Sequence, residues 1–151
     1  MKRLNFITGS SRCLFLVFAF ISLPSISGEH IKSCSLVDAK AAETAAYPIA
    51  SWERLYFVFQ KYGQCDDGAI GEGFSESISM LMVGKWKTLD RLAKLVKKDS
   101  TFREFVIRHL DETVPIDRLK KIKLNAESNC SKTAQDICLE IRQSLGKIGV
   151  D

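Results

Sequence analysis

Four carboxylates lie within one short stretch of this sequence, GQCDDGAIGEGFSES, which covers residues 63–77. Asp66 and Asp67 are adjacent, and Glu72 and Glu76 have the i, i+4 spacing that brings two side chains to one face of a helix. Carboxylates held in pairs across a cleft carry out acid–base chemistry, as in glycoside hydrolysis. This stretch could therefore take part in acid–base catalysis, bind a metal ion or contact a partner protein.

Three familiar site motifs do not fit this stretch. A calcium loop needs carboxylates at alternate positions, but Asp66 and Asp67 are adjacent and Gly68 follows at once. A dinucleotide-binding turn needs GxGxxG after a strand, but Gly71 and Gly73 are not followed by a third glycine. A nucleophile elbow needs GxSxG, which GEGFS does not match. We therefore predict no catalytic residue, no metal ligand and no cofactor.

The start of a helix explains the same residues more simply. Either aspartate can cap the helix, and the two glutamates then extend an exposed acidic face. Gly71 and Gly73 are harder to explain, because each costs a helix about 1 kcal/mol relative to alanine. They favour close approach of another backbone or of a partner surface. The sequence thus predicts a protein-contact surface at Asp66, Asp67, Glu72, Gly73 and Glu76.

The other polar residues are explained more simply by structural roles than by catalysis. His109 lies on the apolar face of a predicted helix, which favours a hydrogen-bonded core histidine over a catalyst. Ser75, Ser77 and Ser79 belong to no nucleophile motif. The alternative hypothesis is a small hydrolase or ligand-binding envelope protein that uses the carboxylates of residues 66–76.

The first residues have the pattern of a cleavable signal peptide: a positive region without acids, then a largely apolar run over residues 13–23. That run is shorter than the roughly 18 residues a membrane span needs. Small residues precede a cleavage point after Ser27 or Gly28. We therefore predict a signal peptide over residues 1–27, export to the periplasm or beyond, and no membrane anchor in the mature chain.

Removing that segment changes the charge of the chain. The full sequence has 22 basic and 18 acidic residues, and three of the basic ones lie in the signal peptide. The mature chain then has 19 basic and 18 acidic residues, a net charge of +1. Nucleic-acid-binding domains carry clustered positive charge, so we predict no nucleic-acid partner.

Four cysteines remain after the signal peptide: Cys34, Cys65, Cys130 and Cys138. An even number in an exported chain predicts two disulfides, and the lack of a CxxC pair disfavours zinc. If the chain is helical from Ser131, Cys130 and Cys138 lie about 12 Å apart at 1.5 Å per residue. That exceeds the limit of about 7 Å between the Cα atoms of a disulfide. We therefore favour pairing each of these two with Cys34 or Cys65.

Apolar residues recur at helical spacing from residue 51 onward, without the alternation that marks strands. Ser51 and Gly63 are suitable caps for the first of these helices, whose clustered aromatic residues favour core packing. The pattern predicts an all-α, compact antiparallel bundle of about five or six short helices in one domain over residues 28–151. The segment 28–46 is open: it is either a helix or an extended arm that Cys34 ties down.

A cleavable signal, a small helical domain, four cysteines and no active-site motif resemble the small periplasmic proteins of Gram-negative bacteria, such as the immunity proteins against type VI secretion effectors. The segments CDDGAIGEGFSES, RHLDETVP and NCSKTAQDICLEI carry this resemblance. It covers the general architecture only, so no site residue is carried over. It implies tight, non-catalytic binding to a protein partner, such as a toxin or a cell-wall-attacking enzyme, typically by covering its active site.

Overall fold

The computed structural model describes residues 33–150, so the predicted signal peptide over residues 1–27 lies outside the described part. Residues 33–150 form seven α-helices and three single-turn 3-10 helices, and no strand occurs among them. The helices are α1 (Leu36–Ala46), α2 (Trp52–Tyr62), α3 (Gly68–Gly84), α4 (Leu89–Lys98), α5 (Ser100–Arg108), α6 (Ile116–Ser128) and α7 (Gln135–Lys147). The 3-10 helices are Gly63–Cys65, Trp86–Thr88 and Lys132–Ala134. The predicted all-α bundle is confirmed, and the seventh helix, α1, fills the segment that the sequence left open.

Local sequence signals set several of these boundaries. Ser51 caps α2 as predicted, since its hydroxyl accepts a hydrogen bond from the backbone N–H of Arg54 at 3.2 Å. Of the two candidate aspartates, Asp67 caps α3: its carboxylate accepts from the N–H of Gly68 at 2.8 Å. Gly68 has a φ of 49°, a left-handed conformation that other residues adopt only with strain. No helix among residues 33–150 is long and apolar enough to cross a membrane.

A shared aromatic cluster holds α2, α3 and α5 together. Phe59 of α2 packs against Phe102 and Phe105 of α5, with ring centroids 5.2 and 4.8 Å apart. Phe74 of α3 meets Phe105 edge to face at 5.0 Å. Around this cluster α1 packs on α2 and α3, α4 packs on α2 and α5, and α6 packs on α3 and α7. The aromatic residues therefore serve the core, as their helical spacing predicted.

The disulfides are Cys34–Cys65 and Cys130–Cys138. The predicted pairing of Cys130 and Cys138 with Cys34 or Cys65 is therefore wrong. The reason is local backbone geometry. The helix does not run unbroken from Ser131: that residue is extended, at φ −72° and ψ 159°, and a 3-10 turn precedes α7. The two Cα atoms therefore lie 6.3 Å apart, within reach of a disulfide.

Candidate functional site

The predicted contact residues lie just before α3 and along its first half, and their side chains differ in exposure. Asp67 and Glu72 are exposed to solvent. Asp66, by contrast, has a side chain that is only 7% exposed. Cys65 is bonded to Cys34, which fixes this segment beside the beginning of α1. The disulfide thus places the predicted contact segment next to a helix whose position the sequence did not define.

Asp66 is paired with the end of α5. Its Oδ2 accepts hydrogen bonds from the guanidinium of Arg108, from Nε at 3.1 Å and from Nη2. Its Oδ1 lies 3.2 Å from Nε2 of His109. That ring nitrogen makes no aligned hydrogen bond within residues 33–150, because the contact to Asp66 lies off the axis of the N–H bond. Asp66 therefore ties α3 to α5 mainly through Arg108.

His109 is 5% exposed and lies between two aromatic rings. Its imidazole stacks on Phe74 with centroids 5.8 Å apart and meets the edge of Phe105 at 4.4 Å. Burial lowers the pKa of His109 below its usual 6.5, while Asp66 opposes that shift and Arg108 adds to it. The prediction of a core histidine is confirmed. The expected hydrogen bonding is present only at Nδ1, as a long contact.

Ser75 completes a cluster that the sequence did not reveal. Its hydroxyl lies 3.5 Å from Nδ1 of His109 and can donate to Oδ2 of Asp111 at 3.4 Å. We call Asp66, Ser75, Arg108, His109 and Asp111 the Asp66–His109 cluster. Its members line a cavity of about 310 Å³. No sequence motif contains these residues, because Ser75 and His109 are 34 residues apart in the chain. The packing of α3 on α5 brings them together.

This arrangement differs from a working serine–histidine–aspartate triad in two respects. In such a triad the serine hydroxyl and the carboxylate each make a directed hydrogen bond to one imidazole nitrogen. Here Ser75 divides its hydroxyl between His109 and Asp111 at long distances, and Asp66 is misaligned with Nε2. Residues 33–150 also hold no group of three acidic, histidine or cysteine side chains placed to bind a metal ion.

Glu76 is half-buried and ion-paired, so it does not belong to the solvated face that its spacing from Glu72 predicted. Its Oε2 accepts a hydrogen bond from Nη1 of Arg118 at 2.5 Å. The same guanidinium nitrogen donates to the hydroxyl of Ser79 at 2.9 Å. This pair connects α3 to α6. Glu72 is thus the exposed glutamate of the two, and Glu76 serves the contact between helices.

The two glycines that the sequence left unexplained make room for close neighbours. A β-carbon at position 73 would lie 3.1 Å from the Cβ of Ala46, at the end of α1. One turn further on, the hydroxyl of Ser77 donates to the carbonyl of Ala46 at 2.6 Å. A β-carbon at Gly71 would lie 3.2 Å from Oδ1 of Asp66. Gly73 therefore admits α1, and Gly71 leaves space for the paired carboxylate.

What remains exposed here is a groove between the starts of α1 and α3, which we call the α1–α3 groove. Its apolar lining includes Leu36 and Val37, which are 88% and 79% exposed. Charged side chains occupy its edge: Lys40, Glu43 and Asp67. The groove encloses about 470 Å³. This apolar surface lay outside the predicted contact residues, because its position depends on the Cys34–Cys65 pairing.

No protein-family model matches the chain, and neither a curated protein nor a solved structure matches it. Its function must therefore be inferred from its own residues and their contacts. The all-α fold carries no activity by itself, because one fold supports many functions.

Proposed function

We propose that this chain is an exported protein-binding domain that acts without catalysis and neutralises a secreted effector enzyme, as immunity proteins do. The two disulfides indicate an oxidising, non-cytoplasmic compartment, which agrees with the predicted export. In that compartment a small helical domain can meet a toxin or a cell-wall-attacking enzyme. The proposed mechanism is steric: the domain covers the active site of its partner.

The observation that carries this proposal is the α1–α3 groove. Leu36 and Val37 expose most of their apolar surface at one helix start, although burying such side chains would be worth about 1.5–3 kcal/mol each. Adjacent exposed apolar side chains rimmed by polar groups are typical of protein interaction sites. The Cys34–Cys65 disulfide holds this surface in a fixed position, which reduces the entropy that a partner must overcome.

The charges around the groove indicate the chemistry of the partner. Asp67 and Glu43 lie at its edge against one base, Lys40, and Glu72 is exposed on the next turn of α3. Asp66 and Glu76 are already paired within the fold, so they contribute little to this field. We therefore expect a partner that presents an apolar side chain flanked by lysine or arginine. Such complementarity mainly raises the association rate and the specificity.

The test compares two matched double variants in affinity capture under non-reducing conditions from the envelope fraction. Leu36→Ala with Val37→Ala removes the apolar lining of the groove. Leu124→Ala with Leu139→Ala removes two exposed leucines on α6 and α7 and serves as the control. We expect the unmodified chain and the control to retain one enzyme and to inhibit it at a 1:1 ratio. The groove variant should bind about tenfold or more weakly, as the lost apolar burial implies.

Two results would overturn this proposal. One is a captured enzyme whose activity is unchanged by a stoichiometric amount of the chain. The other is equal binding by the groove variant and the control, provided that both have the circular dichroism spectrum of the folded protein. A further arm replaces Glu43, at the edge of the groove, by Gln: the association rate should fall and depend less on salt, because a rim charge is removed.

A second candidate function, a small hydrolase, is favoured by one observation. Ser75 and His109 line the same cavity, are 3% and 5% exposed, and lie beside a buried carboxylate. A histidine whose pKa is lowered by burial is neutral at neutral pH and can act as a general base. In this hypothesis Ser75 is the nucleophile and His109 accepts its proton.

A fluorophosphonate probe tests the hydrolase hypothesis directly, because it labels serines that a neighbouring base activates. The hydrolase hypothesis predicts labelling that Ser75→Ala abolishes and Ser77→Ala preserves. Ser77 is a matched control, since it is buried on the same helix and donates to the carbonyl of Ala46. The binding proposal predicts no labelling of the native chain, so labelling that depends on Ser75 would contradict its non-catalytic part.

A further inference from the structure

The far end of α3 opens onto a second, differently charged surface. A cavity of about 570 Å³ lies there, between the α3–α4 connection, the outer face of α6 and the loop before α7. We call it the Trp86 cavity, and its lining includes Lys85, Trp86, Lys87, Lys121, Asn125 and Asn129. Cavities of roughly 300–1,000 Å³ are the size that holds small ligands. Two segments rich in lysine and arginine, 85–98 and 118–123, both contribute to it.

The lining of this cavity carries more positive than negative charge. Lys85, Lys87 and Lys121 are exposed and take part in no ion pair among residues 33–150. The acidic residue on the lining is Asp90, whose carboxylate accepts hydrogen bonds from the hydroxyls of Ser131 and Thr133. The lining therefore carries three lysines without an acidic partner among the described residues and one carboxylate that already has its partners. Such a surface favours an anion.

Part of the cavity wall is fixed by hydrogen bonds and a disulfide. The indole N–H of Trp86 donates to the carbonyl of Asn129 at 2.9 Å. The amide nitrogen of Asn129 in turn donates to Oδ1 of Asn125 at 3.1 Å. The next residue, Cys130, is bonded to Cys138 and so anchors this loop to α7. Trp86 is half-buried, so part of its ring is available to a ligand.

We infer that the Trp86 cavity binds a small organic anion that carries a carboxylate or a phosphate on a sugar-like ring. The lysines supply the counter-charge for the anionic group. The asparagine amides can exchange hydrogen bonds with hydroxyl groups, and the exposed face of Trp86 can pack against a ring. This inference is independent of the proposed binding of a protein at the α1–α3 groove, because the two surfaces lie at opposite ends of α3.

The test is a titration of the ¹⁵N-labelled full chain followed by NMR, with glucuronate and glucose 6-phosphate as probes and glucose as the neutral control. We expect saturable shifts of the Trp86 indole signal with one or both anions and none with glucose. The backbone amides of Gly71 and Gly73 should not move, because they lie at the other end of α3. The two probes distinguish a carboxylate ligand from a phosphate ligand.

Two matched double variants separate a built site from general electrostatics. Lys87→Ala with Lys121→Ala removes two lysines of the cavity, and affinity should fall about tenfold or more, since charged hydrogen bonds are lost. Lys97→Ala with Lys120→Ala makes the same charge change on α4 and α6 outside the lining, and affinity should change by less than about twofold. The inference is overturned if neither anion shifts the Trp86 signal, if glucose binds equally well, or if the two double variants weaken binding equally.

Discussion

The two ends of α3 lie about 24 Å apart at 1.5 Å per residue, and they use charge in opposite ways. At the first end, Asp66 is paired with Arg108 of α5, and in the middle of the helix Glu76 is paired with Arg118 of α6. At the last end, the lysines around Trp86 have no acidic partner among residues 33–150. A disulfide supports each end. A run of charged residues in the sequence therefore does not by itself identify a binding surface, because two of the four carboxylates of residues 66–76 hold helices together.

The largest expected effect comes from removing the disulfides one at a time. Cys34–Cys65 joins residues 31 apart, whereas Cys130–Cys138 joins residues 8 apart. The chain-entropy model then gives a loss of about 3.7 kcal/mol for Cys34→Ala with Cys65→Ala and about 2.6 kcal/mol for the pair at 130 and 138. Urea unfolding of both double variants measures the difference. Equal losses of unfolding free energy in the two variants, or a larger loss in the variant at 130 and 138, would contradict the expected difference between the two disulfides.

A smaller effect is expected from filling the space between α1 and α3. Gly73→Val places a branched side chain where a β-carbon alone already lies 3.1 Å from Ala46, so we expect a loss of about 2 kcal/mol from overpacking. Gly84→Val is the matched control at the other end of the helix. Nothing lies within 4 Å of a β-carbon there, and the change should stay within about 0.5 kcal/mol. Thermal unfolding that shows equal losses would contradict the close packing of α1.

The two glutamates of α3 should differ by less. Glu76→Ala breaks the contact with Arg118 and Ser79, and we expect the free energy of unfolding to fall by about 1 kcal/mol because the pair is only half-buried. Glu72→Ala removes an exposed carboxylate and should change stability by less than about 0.5 kcal/mol. Urea unfolding decides this, and a loss at Glu72 equal to that at Glu76 would mean that Glu72 also has a partner in the fold.

The smallest expected effect is a pH dependence centred on His109. Because burial lowers its pKa below 6.5, the folded protein holds this proton more weakly than the unfolded chain does. The free energy of unfolding should therefore be highest above about pH 6.5 and decrease as the pH falls towards the lowered pKa. The carboxylates of Asp66 and Asp111 oppose this shift, and Arg108 adds to it.

His109→Gln is the variant that isolates this dependence. Its stability between about pH 7 and pH 5 should vary less than that of the native chain, because the titrating group is gone. The comparison uses the slope against pH, so a constant loss of stability from the substitution does not matter. A native chain that becomes more stable as the pH falls through this range would show that the pKa of His109 is raised.

Much of the fold could be predicted from local spacing, and much of the site could not. The apolar periodicity and the Ser51 cap predicted α2 because a helix is a local structure. The partner of Asp66 is 42 residues away, so no local pattern indicated Arg108. The pairing of Cys130 with Cys138 was mispredicted because the extended residue Ser131 and the 3-10 turn after it bring the two Cα atoms closer than an unbroken helix would. Lys85 and Lys87 flank Trp86 in the sequence, but the approach of Lys121 depends on how α6 packs.

The attachment of α1 has a mechanical consequence. The helix is fastened at its start by the Cys34–Cys65 bond and at its end by the Ser77 hydrogen bond to Ala46. Reduction removes the first attachment and leaves the second, together with the packing of Ala42 and Ala46 in the core. The start of α1, which carries Leu36 and Val37, then lacks its covalent tie to Cys65, so we expect the α1–α3 groove to be held less firmly in the reduced chain than in the oxidised one.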